Sequence, residues 1–107
     1  MILVLARPPD GDLPADLRAR AVFMPLETVP EVIETLAREP VSAVVVPCPG
    51  SSINAFALAR RLRGHPPVTL AGPLRQAQLF WAERNGCHCA PSLEAALQPA
   101  TEKGPSP

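Results

Sequence analysis

The fold is decided by one stretch of the chain, residues 41–73, which reads VSAVVVPCPGSSINAFALARRLRGHPPVTLAGP. It opens on a β-branched run over residues 41–46 that ends at Pro47, and it closes on an apolar run over residues 68–71. Short apolar runs bounded by Pro or Gly are typical of buried strands. Between them, apolar residues recur at i, i+3, i+4 and i+7, which predicts a helix with one buried face. These positions are Ala55, Leu58, Ala59 and Leu62.

Strand, helix and strand in this order predict a βαβ unit, and the flanking sequence repeats the pattern. Apolar runs predict three more strands, and helical spacing with capping residues predicts three more helices. Residues 15–19 allow only about one turn of helix, so the first helix is predicted to be truncated. The strand runs span residues 2–6, 21–24 and 87–90; the helices follow Thr28, fill residues 74–85 and follow Ser92.

Capping residues predict where these helices begin and end. Thr28 and Glu31 have the spacing of a capping box, and Ser51 or Ser52 is expected to cap the helix after the third strand. Gly86 is expected to end the fourth helix, because glycine readily adopts the left-handed conformation that follows a helix. The buried face of the second helix is predicted to contain Val32, Ile33, Leu36 and Ala37.

Alternating strands and helices predict a doubly wound α/β domain over residues 1–98. Five short strands suit a flavodoxin-like parallel sheet in the order 2-1-3-4-5, with helices on both faces. Residues 99–107 combine Pro and Gly with polar residues and are predicted to form a flexible tail or linker. Ligands bind at the carboxyl ends of the strands in such sheets, so functional residues are expected in the loops that follow them.

The composition of the 107-residue chain excludes several classes of function. Its 10 Lys and Arg residues balance 10 Asp and Glu residues, which argues against direct binding to nucleic acid or to an anionic membrane. A hydrophobic share of 47% suits a buried core despite the 15 prolines. No apolar run approaches the ~20 residues of a membrane span. Because the sequence shows no secretory signal pattern, its three cysteines are expected to be reduced thiols of a cytoplasmic protein.

Three stretches of the chain resemble the receiver domain of bacterial two-component response regulators. They are ILVLARP at residues 2–8, the stretch at residues 41–73, and AERNGCHCAPSLEAAL at residues 82–97. The resemblance implies a signalling module whose fourth helix, fifth strand and fifth helix bind a protein partner or a second copy of the chain. The segment after the first strand departs from the family because it is short and rich in proline.

The resemblance implies which side chains a working receiver needs. Two acidic residues and an aspartate hold Mg²⁺, and that aspartate accepts a phosphoryl group. A Thr or Ser and a Lys assist the phosphoryl transfer. Mg²⁺ needs oxygen ligands, and the transferred phosphoryl group needs positive charge beside it. None of the five matching positions carries the required side chain. They are Ala6 and Arg7, Pro47 (or Cys48 in a register shifted by one), Ala71 and Ala90.

The resemblance therefore predicts a pseudo-receiver, a module with no catalytic residues, no metal site and no cofactor. Asp10 and Asp12 lie further along the first loop. Two carboxylates without a third ligand at a strand end make a poor Mg²⁺ site. We interpret them as ordinary residues of a polar loop.

An alternative function uses the loop after the third strand. Cys48 precedes Gly50, Ser51 and Ser52, whose amides would open a helix and could cradle a phosphate beside a reactive thiol. Arg7 is expected at the same edge of the sheet, so the alternative is a protein that binds a small anion or nucleotide, or a thiol-dependent enzyme. Cysteine-dependent phosphatases place an Arg six residues after the Cys, and this chain has Asn54 there. The competing interpretation is a small apolar Cys48 beside capping serines.

The segment Cys87-His88-Cys89 invites a metal interpretation. In a strand its two thiols would point to one face and His88 to the other. A zinc site needs four ligands, and Cys48 and His65 are expected at opposite ends of the sheet. Buried, unligated cysteines are therefore predicted.

Leu79, Phe80 and Trp81 place three large apolar residues in a row on a helix that has one buried stripe. The spacing from Gly86 favours Leu79 and Ala82 as the inward residues, which leaves Phe80 or Trp81 exposed. A tryptophan along the edge of the core is the competing interpretation. Exposed aromatic and arginine residues are typical of interface hot spots. The predicted partner-binding residues are Arg75, Phe80, Trp81 and Arg84.

Overall fold

The computed structural model describes residues 1–7, 13–48, 53–63 and 65–97. Five strands form one parallel sheet in the order β2-β1-β3-β4-β5, with helices between successive strands. This confirms the predicted flavodoxin-like α/β fold and its short first helix. The strands are β1 (Ile2–Val4), β2 (Ala21–Phe23), β3 (Ala43–Pro47), β4 (Val68–Ala71) and β5 (His88–Ala90). The helices are α1 (Ala15–Ala19), α2 (Val29–Arg38), α3 (Ala55–Leu62), α4 (Gln76–Arg84) and α5 (Leu93–Leu97).

The sheet separates two apolar cores because successive strand residues point to opposite faces. Leu3 and Val44 lie in the larger core with Val32 of α2 and Leu58 of α3. Their strand neighbours Val4 and Val45 lie in the smaller core with Leu17 of α1 and Leu97 of α5. The central strands are therefore buried on both faces, as their continuous apolar runs predict.

The predicted capping box of α2 is confirmed. The Glu31 N–H donates to Thr28 Oγ1 at 3.3 Å, and the Thr28 N–H donates to Glu31 Oε1 at 3.1 Å. At the end of α4, Gly86 has a φ of 78°, its N–H donates to the Glu83 carbonyl, and the Cys87 N–H donates to the Ala82 carbonyl. This is a Schellman motif, and it confirms Gly86 as the residue that ends the helix.

Three local predictions are wrong. The cap of α3 is Asn54, whose Oδ1 accepts from the Ala57 N–H at 3.1 Å, so the helix begins later than caps at Ser51 or Ser52 would require. Ala37 is exposed because it lies about 140° around α2 from the buried Val32. The first strand ends at Val4, where the Ala6 N–H turns back to the Val4 carbonyl.

The predicted tail at residues 99–107 lies outside the described residues. Within the described part of the chain, no helix has the length and apolar character that crossing a membrane requires.

Candidate interaction face

The carboxyl ends of three neighbouring strands bring together the positions where a receiver would carry its chemistry. Pro47 pairs with Ala71, and Ala71 pairs with Ala90, so these residues lie side by side across the sheet. Ala6 follows β1 beside them and is half-buried. None of the four side chains offers a carboxylate, a hydroxyl or an amine, so these four positions supply no group to accept phosphate or to bind a cation.

Backbone hydrogen bonds hold the loops at this edge of the sheet close together. The Cys48 N–H donates to the Ala71 carbonyl at 2.7 Å, and the Gly72 N–H donates to the Ala90 carbonyl at 2.9 Å. A Cβ atom added to Gly72 would lie 1.8 Å from the Cys48 carbonyl oxygen. Only glycine fits there, because the two loops approach backbone to backbone.

Across the described residues, no group of three or more His, Cys, Asp or Glu side chains is placed to hold a metal ion. Asp10 and Asp12 lie outside the described residues. Cys48 follows β3 and His65 precedes β4, so these two residues lie at opposite ends of the sheet, as predicted. His65 and His88 are both exposed.

The three thiols differ in exposure. Cys87 is buried, Cys48 is half-buried with its Sγ donating to the Val46 carbonyl at 3.6 Å, and Cys89 is exposed. The prediction of buried cysteines is therefore correct for Cys87 and wrong for Cys89. Burial raises the pKa of Cys48, and the neighbouring Cys89 thiol raises it further. A raised pKa leaves less thiolate, so the thiol-dependent alternative loses support.

The other residues of that alternative are only partly described. Arg7 is exposed just beyond β1. Gly50, Ser51 and Ser52 lie outside the described residues, and the proposed anion cradle therefore stays a prediction. The helix after this loop is capped by Asn54.

Helix α4 presents large apolar side chains to solvent. Ala82 is its one buried residue, whereas Leu79, Phe80 and Trp81 are 42%, 52% and 51% exposed. The prediction of Leu79 as an inward residue is wrong, because the short β5 strand gives α4 little sheet surface to cover. Both aromatic residues are exposed, not one of them.

The exposed aromatic rings form an ordered cluster. Phe80 and Trp81 meet edge to face with ring centroids 5.3 Å apart. The guanidinium carbon of Arg84 lies 5.4 Å from the centroid of Phe80, a cation–π contact. Three of the four predicted partner-binding residues therefore contact one another. The fourth, Arg75, is exposed at the start of α4.

A groove of about 480 Å³ lies between Leu79 of α4 and the end of β5. Leu79 and Cys89 both line it. We call Leu79, Phe80, Trp81 and Cys89 the α4–β5 face. Sequence reasoning placed Leu79 in the core and did not single out Cys89 as an exposed residue. The alternation of strand side chains placed Cys89 on the same face of the sheet as Cys87. Whether Cys89 is exposed there depends on the position of α4, which does not cover it.

Comparison with known proteins returns no match among protein-family models, curated proteins or solved structures.

Proposed function

We propose that this chain is a receiver-like module without phosphotransfer chemistry, which acts by binding another protein through the α4–β5 face. The observation that carries the proposal is the exposure of Leu79, Phe80 and Trp81 in a row on one short helix. Single exposed apolar residues are ordinary, whereas a contiguous group with an adjoining apolar groove marks an interaction site.

The chemistry of the face supports protein binding. Tryptophan, tyrosine and arginine dominate interface hot spots because they bury a large area and still offer polar or charged contacts. Here Trp81 and Phe80 supply the area, and Arg84 supplies a charge beside them. The groove walls contain Leu74, Leu79 and two prolines and carry no charged side chain, which suits an apolar anchor from a partner.

The helix that carries the face is fixed in place. Its N-terminal turn is closed by Gln78, whose Oε1 accepts from the Arg75 N–H at 2.9 Å. Its C-terminal turn is closed by the Schellman motif at Gly86 and by Asn85 Nδ2, which donates to the Trp81 carbonyl at 2.7 Å. A rigid support reduces the conformational entropy lost on binding.

The residues at the strand ends support the second part of the proposal, the absence of phosphotransfer chemistry. Pro47, Ala71 and Ala90 occupy adjacent positions at the edge where a receiver holds metal and phosphate. Restoring a metal site there would need carboxylates at more than one of these positions.

Photocrosslinking tests the binding face directly. Benzoylphenylalanine replaces Trp81 in one variant and Glu34, an exposed residue of α2, in a matched control. Irradiation in the native cell is expected to give a defined protein adduct from position 81 and none from position 34. Adducts that are absent at 81, or equal at both positions, would contradict the proposal.

Incubation of the purified chain with acetyl phosphate and Mg²⁺ tests the phosphotransfer part. Intact-mass measurement is expected to show the 11.4 kDa chain unchanged. A stoichiometric gain of about 80 Da, one phosphoryl group, would overturn this part of the proposal while leaving the binding face untouched.

A further inference from the structure

We propose that Cys87 and Cys89 form a two-thiolate site for the soft monovalent cation Cu(I), beside the groove that Cys89 lines. The inference goes beyond the proposed function, because it assigns a metal ion to the chain and does not depend on a protein partner. Three observations on the described residues lead to it: the shared face of the two thiols, their spacing, and the lack of a third donor within reach.

The two thiols lie on the same face of the sheet. Cys89 pairs with Leu70, and Leu70 belongs to the larger core. Residues paired in register on neighbouring strands point to one face, so Cys89 points to the side of that core. Cys87 is itself a member of the larger core. The structure therefore supports the shared face that strand alternation predicts, with His88 on the opposite face.

The spacing of the two cysteines suits a bridging cation. Two residues of extended chain span at most about 7 Å. Disulfides need Cα atoms about 4.4–6.8 Å apart and sulfurs that meet at about 2 Å, so an extended pair is at the limit for a disulfide. With bonds of the ~2.3 Å length of a zinc–thiolate bond, a cation holds two sulfurs about 4.6 Å apart. Rotation about χ1 of each cysteine brings the sulfurs towards that separation.

The donor set favours a cation that accepts two ligands. Cys48 packs against the same core, but it follows β3, which lies two strands away from β5. Two strand spacings amount to about 9.6 Å, which is too far for Cys48 to join a cation held by the other two thiols. Within the described ranges, no third His, Cys, Asp or Glu completes a metal-binding group. Zinc needs four ligands, whereas thiolates select soft Cu(I), which is stable with two.

The surroundings hold one thiol in the core and offer the other to solvent. Cys87 is 8% exposed, and its Sγ donates a long hydrogen bond of 4.0 Å to the Ala55 carbonyl. A thiol is a weak donor, so turning this sulfur towards Cys89 costs little. Cys89 is exposed and lines the groove, which gives the cation a path from solvent. The apolar packing around Cys87 keeps water from the other side of the site.

The electrostatics of the pair also favour a cation. Burial raises the pKa of both thiols, and the Cys89 thiol raises the pKa of Cys87 further. This second effect arises because two neighbouring thiolates repel each other. A cation between them removes the repulsion. Binding forms two Cu–S bonds and releases both thiol protons to solvent, and neither copper nor sulfur changes its oxidation state.

Competition for Cu(I) tests the site. The reduced chain receives Cu(I) under nitrogen in the presence of bicinchoninate, a chelator that turns purple when it binds Cu(I). The unaltered chain is expected to withhold one copper per chain from the chelator. Cys89→Ala is expected to weaken binding more than about a hundredfold, since a change that only neighbours a metal ligand costs about 10–100-fold. Cys87→Ala is expected to weaken binding to the same degree.

Cys48→Ala is the matched control, because it removes the third thiol on this face by the same substitution. It is expected to leave the affinity for Cu(I) unchanged. Native mass spectrometry is expected to show one copper on a single 11.4 kDa chain, and copper X-ray absorption is expected to show two sulfur neighbours. Circular dichroism of the metal-free variants checks their folding. The exposed Cys89 carries the test if the core substitution at Cys87 prevents folding.

Loss of all copper from the unaltered chain to the chelator would overturn the proposal. Copper retained by Cys89→Ala, an equal loss in Cys48→Ala, or one copper shared between two chains would overturn it as well. Photocrosslinking at position 81 tests protein binding by α4 separately, so the failure of either proposal leaves the other standing.

Discussion

Helices α2 and α4 cover the same face of the sheet but differ in how far their apolar side chains are buried. In α2, Val32 is fully buried, and Ile33 and Leu36 pack against the same core. In α4, Ala82 alone is buried, while Phe80 and Trp81 are half exposed. The apolar residues of α2 stabilise the chain's own fold. The large apolar residues of α4 do not pack into a core within the described structure, and we propose that they bind a partner.

The difference follows from what lies beneath each helix. Val32 packs with Leu3 and Val44 of the two central strands. Helix α4 covers β5, an edge strand of three residues of which His88 and Cys89 are exposed. A helix over an edge strand has little sheet surface to bury, so its large side chains remain on the outside.

The largest expected effect comes from placing a carboxylate in each helix. Val32→Asp buries an unpaired charge and is expected to cost several kcal/mol, a large share of the ~5–15 kcal/mol that stabilises a domain. Trp81→Asp is expected to change the unfolding free energy by less than about 1 kcal/mol, because its side chain is half in water. Urea unfolding followed by circular dichroism measures both.

The aspartate at position 32 can prevent folding altogether, so Val32→Ala serves as the measurable companion. It removes buried methyl groups and is expected to cost about 1.5–3 kcal/mol. Equal losses for Val32→Ala and Trp81→Ala would show that α4 contributes to the core as much as α2 does, and the comparison would fail.

The helix caps give an intermediate effect. Thr28 Oγ1 accepts from the Glu31 N–H at the start of α2, so Thr28→Ala is expected to cost about 1 kcal/mol. The Arg75 side chain makes no capping bond at the start of α4, and Arg75→Ala is expected to stay within about 0.5 kcal/mol of the unaltered chain. The same unfolding experiment compares them, and a larger loss at Arg75 would contradict the described cap.

The smallest effect concerns pH. Hydrogen bonds from the Glu27 and Thr28 N–H groups lower the pKa of Glu31 below its ordinary value of 4.5. Because the folded pKa is the lower one, Glu31 stabilises the fold fully above pH 4.5 and loses this contribution as the pH falls through the folded pKa. Gln78 makes the corresponding bond in α4 and does not titrate.

Exchange of these two residues tests the pH effect. Glu31→Gln is expected to flatten the acid side of the stability profile, and Gln78→Glu is expected to steepen it. Unfolding midpoints measured from pH 6 down to pH 3 provide the comparison. An unchanged profile for Glu31→Gln would show that the capping carboxylate has no part in it.

The sequence predicted the α2 capping box and the end of α4 at Gly86, because both depend on local spacing. The strand order was predicted from the alternation of strands and helices, which suits a doubly wound sheet. Prediction from the sequence failed where a long-range contact determines whether a side chain is buried. Leu79 has the spacing of a buried residue, and its exposure depends on how little of β5 lies below it. Asn54, Ser51 and Ser52 are all good N-cap residues and lie close together in the sequence. The local pattern does not show which of the three caps α3.

The exposure of Cys89 could not be predicted for a similar reason. Strand alternation placed it on the same side as Cys87, but whether α4 covers that position depends on the tilt and length of the helix. The chemistry of the strand ends was easier to predict, because Pro47, Ala71 and Ala90 carry no carboxylate, hydroxyl or amine wherever the strands end.

The central claim is that the exposed face of α4 binds protein, and the single tryptophan of the chain gives the most direct measurement. Trp81 labelled as 5-fluorotryptophan gives one ¹⁹F resonance, recorded while the protein is concentrated and again after native cell extract is added. The account predicts that the resonance shifts and broadens under at least one of these conditions. A resonance whose position and width stay constant in both would contradict it.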